Sequence, residues 1–340
     1  MNDVVTFGEA MIRLSPPDFN RLEQTPTLNV NVGGGELNVA VATSRLGLKT
    51  AWVSRLTDNP LGRMICNKAR EHGVNTSHIV WTKGDRAGLY FLELGASPRA
   101  SAVYYDRAGS AISRIQPGEV DWPTALEGAR VFHVSGITPA LSASCAEVTA
   151  EALKAAKEAG CKVSYDLNYR AKLWTEAEAQ KCQEPLMEYV DVLISTEEDT
   201  KRVFKISAQK TDEKTFKTVS AESYKQVAAK LAEKFGFAVV AITLRETISV
   251  WRNRWGAIAY SGGTFYEDEM REVEIVDRVG GGDSFSAGLI YGYLKGDLAY
   301  GVRFGNAFSA LKHSVPGDLN WIQKEEVEKL LGGAGLRIQR

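Results

Sequence analysis

The chain has few of the features that announce a partner or a compartment. Its four cysteines, Cys66, Cys145, Cys161 and Cys182, are scattered with no C-x-x-C pair, which fits reduced, packed thiols better than zinc or a disulfide framework. No segment approaches about 18 uninterrupted apolar residues, and "MNDVVTFGEAMI" lacks the basic and apolar regions of an export signal. Neither a membrane span nor secretion is expected, and the compartment expected is the cytoplasm. Charge of one sign is not in excess, with 41 Lys and Arg against 42 Asp and Glu, so a nucleic acid or an anionic membrane surface is not an expected partner. No G-x-x-x-x-G-K-[ST] occurs, and "VVTFGEAM" lacks the G-x-G-x-x-G that a dinucleotide fold carries after its first strand. Internal repeats and low-complexity segments are also missing.

What is present is alternation. Short β-branched runs at 4–9, 50–56, 131–136, 161–168, 190–195 and 238–244 read as buried strands. Between them, segments such as "ELNVAVATSRLG" (36–47) and "CAEVTAEALKAAKEAG" (145–160) carry apolar residues at helical spacing and close on a glycine suited to a C-terminal cap. This pattern predicts an α/β fold: a mostly parallel sheet covered by helices on both faces. Residues 11–32 and 86–107 break the rhythm, alternating polar and apolar residues as in "AGLYFLELG" and "SAVYYDR". They read as antiparallel strands of a small lid. The Lys- and Thr-rich stretch 201–225 reads as a solvated loop and helix face.

One motif carries chemistry. In "VDRVGGGDSFSAGLIYG", Gly280, Gly281 and Gly282 follow a strand-like "REVEIV", and Phe285, Leu289 and Tyr293 then recur every four residues. Strand, glycine turn and helix start make an anion site from bare N–H groups and the helix dipole. A carboxylate beside it repels a resting phosphate, but suits a base that deprotonates a hydroxyl attacking that phosphate. On these residues alone, Asp283 reads equally as a helix cap beside a tight turn.

Other segments tip the balance. From "GEAMIRLSP" to "HSVPGD" the chain resembles the ribokinase-like (PfkB) family of carbohydrate kinases. The family's D-T-x-G-A-G-D signature is matched by Asp277 to Asp283, and its N-terminal glycine signature by "GGGELNVAVATSRLG", Gly33 to Gly47. The resemblance implies a single ribokinase-like domain over 1–340, a three-layer sandwich with a small β-sheet lid. It also implies ATP with Mg²⁺ as donor, Asp283 as catalytic base and Gly280 to Gly282 as anion hole. Within the family, "GLYFLELG", "YYDRAGSA" and "DLNYRAKLW" are most similar to 2-keto-3-deoxygluconate kinases. That likeness assigns the sugar acid to Gly34, Tyr90, Tyr105, Arg107 and Arg170. A guanidinium fork holds a carboxylate bidentately, which a neutral sugar would not need.

The matches have departures. The family's N-x-x-E motif stands as Ser195-Thr-Glu-Glu198, so Glu198 keeps an indirect role on Mg²⁺ through water while serine replaces asparagine. Arg278 replaces the signature threonine and Gly281 its alanine. In "TLRETIS", Arg245 takes the place of a glycine after Thr243, near the family's nucleotide site, and could contact phosphate or pack. Asn306 is a candidate near the adenine. His133, inside "VFHVSG", reads as a buried, hydrogen-bonded histidine, and His72, His78 and His313 show no metal-ligand spacing. The expected activity is therefore phosphorylation of the terminal hydroxyl of 2-keto-3-deoxygluconate. The alternatives are a fructokinase or ribokinase acting on a neutral sugar, a catalytically silent sugar-binding protein and, least of all, a dinucleotide oxidoreductase. Exposed lid edges predict a homo-oligomer, a dimer through the lid.

Overall fold

In the computed structural model, which describes residues 1–207 and 221–333, the apolar runs become the centre of a nine-stranded sheet. Its strands are β1 (Val4–Phe7), β4 (Thr50–Thr57), β5 (Ile79–Thr82), β8 (Val131–Ser135), β9 (Lys162–Asp166), β10 (Val192–Ser195), β11 (Val239–Thr247), β12 (Arg252–Ser261) and β13 (Thr264–Glu274). They lie in the order β13-β12-β11-β10-β9-β8-β1-β4-β5. From β11 to β5 every pairing is parallel, while β11, β12 and β13 are antiparallel.

Alternate residues of each central strand enter opposite cores. Val5, Phe7, Phe132, Val134, Leu193 and Val240 pack with one set of helices, and Val4, Val131, Val192 and Val239 face the other way. Burial on both faces explains why these strands read as continuous apolar runs. The first face carries α3 (Trp122–Ala125), α4 (Ala143–Glu158), α5 (Glu176–Leu186), α6 (Glu197–Phe204) and α7 (Ala221–Phe235). On the second lie α1 (Gly35–Arg45), α2 (Pro60–Glu71), α8 (Gly281–Leu294), α9 (Leu298–Lys312) and α10 (Lys324–Leu331). Gly47 and Gly160 take positive φ just past α1 and α4, as the closing glycines predict. Of the stretch 201–225, residues 208–220 lie outside the described residues.

The lid is a four-stranded sheet of β2 (Met11–Ser15), β3 (Asn29–Gly33), β6 (Gly88–Glu93) and β7 (Ala102–Asp106), in the order β3-β2-β6-β7. Its position agrees with the sequence reading, but its pairing corrects it. Two antiparallel pairs meet through a parallel contact, Met11 opposite Gly88 and Arg13 opposite Tyr90. Among the described residues no helix is long and apolar enough to cross a membrane.

Candidate active site

The ends of β1, β8, β9, β10 and β11 open into one cleft beneath the lid, where Glu9, Ile137, Asp166, Ser195 and Thr243 meet residues of the glycine turn. A carboxyl edge is where open α/β sheets take ligands. The cleft's volume of about 460 Å³ suits a small molecule.

Its floor is the start of α8. Gly280 takes φ 83°, and a Cβ there would collide with the carbonyl of Asp318, so the turn needs glycine on two counts. Gly281 lies against the His313 ring, whereas Gly282 has open space where a side chain would stand. The Gly281 amide donates to Arg278 O at 3.3 Å. The amides of Gly282 and Asp283 find no acceptor among the described residues, leaving two N–H groups free at the positive end of a fourteen-residue helix.

Asp283 sits in the first turn of α8 and accepts from Asn38 Nδ2 at 2.7 Å. Asn38 Oδ1 in turn accepts from the Gly34 amide at 3.3 Å, so one side chain joins the two glycine signatures. Gly34 is held against the link between β1 and β2, where a Cβ would overlap the carbonyl of Glu9. Burial pushes the Asp283 carboxyl up to about 6, against the pull of Asn38 and Arg170. Burial also raises Asp199 to about 6, and it pushes Asp166 well above the usual carboxylate range with help from the charges of Asp283 and Asp199. Arg170 lies among these three carboxylates and lines the cleft, and its side chain makes no hydrogen bond or ion pair among the described residues.

The lid side is more fully committed. Tyr90 is buried and donates its hydroxyl to Asp318, which also accepts from Arg13 Nη1 at 3.0 Å. Arg13 reaches Asp277 at 2.6 Å, so a lid strand grips the first residue of the glycine signature. Tyr105 is exposed and lines the cleft, 5.9 Å from the ring of Tyr90. Arg107 also lines it, but Nε donates to Glu9 at 2.8 Å and Nη2 bonds the same carboxylate. Arg107 is therefore not the free fork that Arg170 is.

Ser195, Thr243 and Arg245 line the cleft as expected of a nucleotide end. Three expected site residues do not line it: Gly281, whose amide is taken by Arg278 O, Glu198 and Asn306. Glu198 turns away to Arg202, bonding Nη2 at 2.8 Å, and the neighbouring Asp199 lines the cleft instead. Asn306 donates to Asp268 Oδ2 at 2.7 Å and to Glu269 O at 3.0 Å, tying α9 to β13. Its amide nitrogen is occupied by the scaffold. His133 is buried, bonded to Ser164 Oγ at 3.0 Å and held by burial down to about 3, the structural role its apolar strand implies.

Sequence reasoning missed Asn38, Asp166, Asp199, Arg278 and His313 as cleft residues. Asn38 lies inside the glycine signature, about one turn past its three glycines on α1, and Asp166 ends a strand, so both were within reach of the spacing. His313 and Asp318 belong to the chain after α9, which no local pattern connects to the cleft.

A family model described as pfkB family carbohydrate kinase matches residues 1–324. The chain is 40% identical over 339 residues to the 2-dehydro-3-deoxygalactonokinase of Haloferax volcanii, covering 99% of each. It is 28% identical over 328 residues to the 2-dehydro-3-deoxygluconokinase of Bacillus subtilis, covering 95% of this chain and 93% of the relative. Among solved structures, the 2-dehydro-3-deoxygluconokinase of Thermotoga maritima is 47% identical with a TM-score of 0.93, covering 98% of this chain and all of that one. A sugar kinase of Pyrococcus horikoshii in complex with ATP, 22% identical with a TM-score of 0.74 over 96% of this chain and 99% of that one, shares the fold. The family match takes in both walls of the cleft, from the link after β1 that carries Glu9 to the first turn of α8 that carries Asp283, and the chain belongs to the pfkB family of carbohydrate kinases.

Proposed function

We propose that the enzyme transfers the γ-phosphoryl group of ATP to the terminal hydroxyl of 2-keto-3-deoxygluconate, the 2-dehydro-3-deoxygluconate of its relatives' names. The observation that carries this reading is Asp283, a carboxylate with a raised pKa beside the free amides of Gly282 and Asp283. Asp283 takes the hydroxyl proton as the oxygen bonds to the γ-phosphorus, and the bond from that phosphorus to the bridging oxygen breaks to release ADP. The two amides and the helix dipole receive the charge on the transferring group. With a pKa near 6, Asp283 is mostly ionised at neutral pH and still basic enough to draw the proton.

The unpaired side chain of Arg170 supports an acid as substrate, since a guanidinium that lines the cleft with its N–H groups free can take a carboxylate bidentately. Arg107, anchored on Glu9, keeps Nη1 free for the same group. Mg²⁺ would enter with the nucleotide, Asp199 ordering its water shell and the ion neutralising phosphate charge. The exposed Val30 and Tyr104 on the two edge strands of the lid support pairing of two copies there. The name of the Haloferax volcanii relative favours a second reading, in which the galacto epimer is the acceptor.

An ADP-release assay over both keto-deoxy acids, fructose and ribose tests the reading. The expected outcome is kcat/KM at least ~100-fold higher for a keto-deoxy acid than for either neutral sugar. Equal turnover of fructose would replace it with the neutral-sugar reading.

A further inference from the structure

We propose that Arg245 and Arg278 form a two-guanidinium clamp on the terminal phosphates of the nucleotide, with Arg278 on the group being transferred. This rests on the kinase reading of the same cleft. Arg245 lies on β11 two residues beyond Thr243, on the same side of the strand, and both line the cleft. Arg278 stands in the turn itself, two residues before Gly280, where its carbonyl accepts the Gly281 amide. Both side chains line the cleft, and neither makes a hydrogen bond or ion pair among the described residues.

The surroundings of the pair need an anion. Asp277, the acidic residue nearest Arg278 in the chain, is already held by Arg13 at 2.6 Å and by the Gly317 amide at 3.0 Å. Glu246, beside Arg245, pairs with Arg254 at 3.4 Å. The two guanidiniums act on each other instead, and burial together with the charge of Arg245 loosens the proton on Arg278. Like charges facing one cavity without a counterion repel, and a bound anion relieves that repulsion. A sugar acid brings a single charge, for which Arg170 stands ready. A di- or triphosphate brings enough for two more arginines, and the free amides of Gly282 and Asp283 border the same space. Arg278 and the glycine turn share one short segment, which sets the arginine beside the free amides.

Calorimetric titration of ATP, AMP and inorganic tripolyphosphate into the wild type, Arg245→Met, Arg278→Met and the double variant tests the clamp. Each single change should weaken ATP and tripolyphosphate by about tenfold and leave AMP within twofold. Arg278→Met should in addition lower kcat at saturating ATP, with Arg278→Lys recovering part of it because charge returns without the planar fork. Neither side chain has a hydrogen-bond or ion-pair partner to abandon among the described residues, so loss of folding is not expected to mask the result. An unchanged ATP-to-AMP affinity ratio in the double variant overturns the clamp while leaving the kinase reading intact. If the wild type instead turns over no sugar or sugar acid, the kinase reading fails, and the tripolyphosphate titration still decides whether the two arginines hold phosphates.

Discussion

At the α8 end of the cleft two free main-chain amides and one carboxylate face the open space, whereas on the lid two of the three candidate side chains, Tyr90 and Arg107, are already bonded to protein. Gly282 and Asp283 offer N–H groups that the helix cannot use. Tyr90 and Arg107, by contrast, are held by Asp318 and Glu9. The floor works through backbone geometry that any sequence with the right glycines would make. The lid works through pairings between residues far apart in the chain. Chemistry is thus concentrated on one wall, and on the other much of the polar machinery holds the wall in place.

The comparison breaks most visibly at Asp283. Asp283→Asn keeps the shape and the Asn38 contact but removes the base, and kcat should fall on the order of 10²- to 10⁴-fold with ATP binding little changed. The wild-type pH profile should agree. Burial raises the carboxyl to about 6, so the ionised form required of a base is lost as pH falls through that value, and at pH 5 about a tenth remains. Asp199 also titrates near 6, so Asp199→Asn is the control. An acid limb that disappears in Asp199→Asn would mean that Asp199, and not Asp283, sets it.

The same contrast explains what was legible in the sequence. The glycine turn and α8 are local, written in seventeen consecutive residues, and the central strands announce themselves because both faces are buried. The long β12–β13 hairpin was not read beyond "REVEIV", although Gly262 and Gly263, both at positive φ, form the two-residue turn that such hairpins favour. Its charged outer strand masks the pattern. On the lid, Arg13 and Asp277 are 264 positions apart, and no periodicity tells an arginine bound for a buried carboxylate from one bound for a substrate. Arg107 and Arg170 therefore looked alike in the sequence, and the difference between them lies in Glu9.

That difference gives the next effect in size. Arg170→Ala should lower kcat/KM for the keto-deoxy acid by about ten- to a hundredfold; it breaks no side-chain hydrogen bond or ion pair among the described residues, although Asp166, Asp199 and Asp283 lose the charge that favours their ionised forms. Arg107→Ala leaves the buried Glu9 without its cation, and removing one partner of a buried pair costs about 3–5 kcal/mol. Thermal unfolding separates the two. If Arg107→Ala melts like the wild type and loses kcat/KM for the acid as far as Arg170→Ala, then Glu9 is not its working partner and both arginines read the substrate.

Tyr90 should give the smallest effect on activity. Its hydroxyl is buried, its pKa is raised well above the usual tyrosine range by burial and by Asp318, and its proton is given to that carboxylate. Tyr90→Phe deletes this one bond while Asp318 keeps Arg13. A hydrogen bond to a charged group contributes about 1.5–3 kcal/mol, so the variant should unfold a few degrees lower. Acid binding should hardly respond, with kcat/KM within about threefold of the wild type, because the ring still fills its place beside Tyr105. The lid face contributes packing through Tyr90 and contact through Tyr105, whose exposed ring lines the cleft. A Tyr90→Phe enzyme with wild-type stability and a tenfold higher KM for the acid would show that the hydroxyl leaves Asp318 for the substrate, and the lid would then be a working wall like the floor.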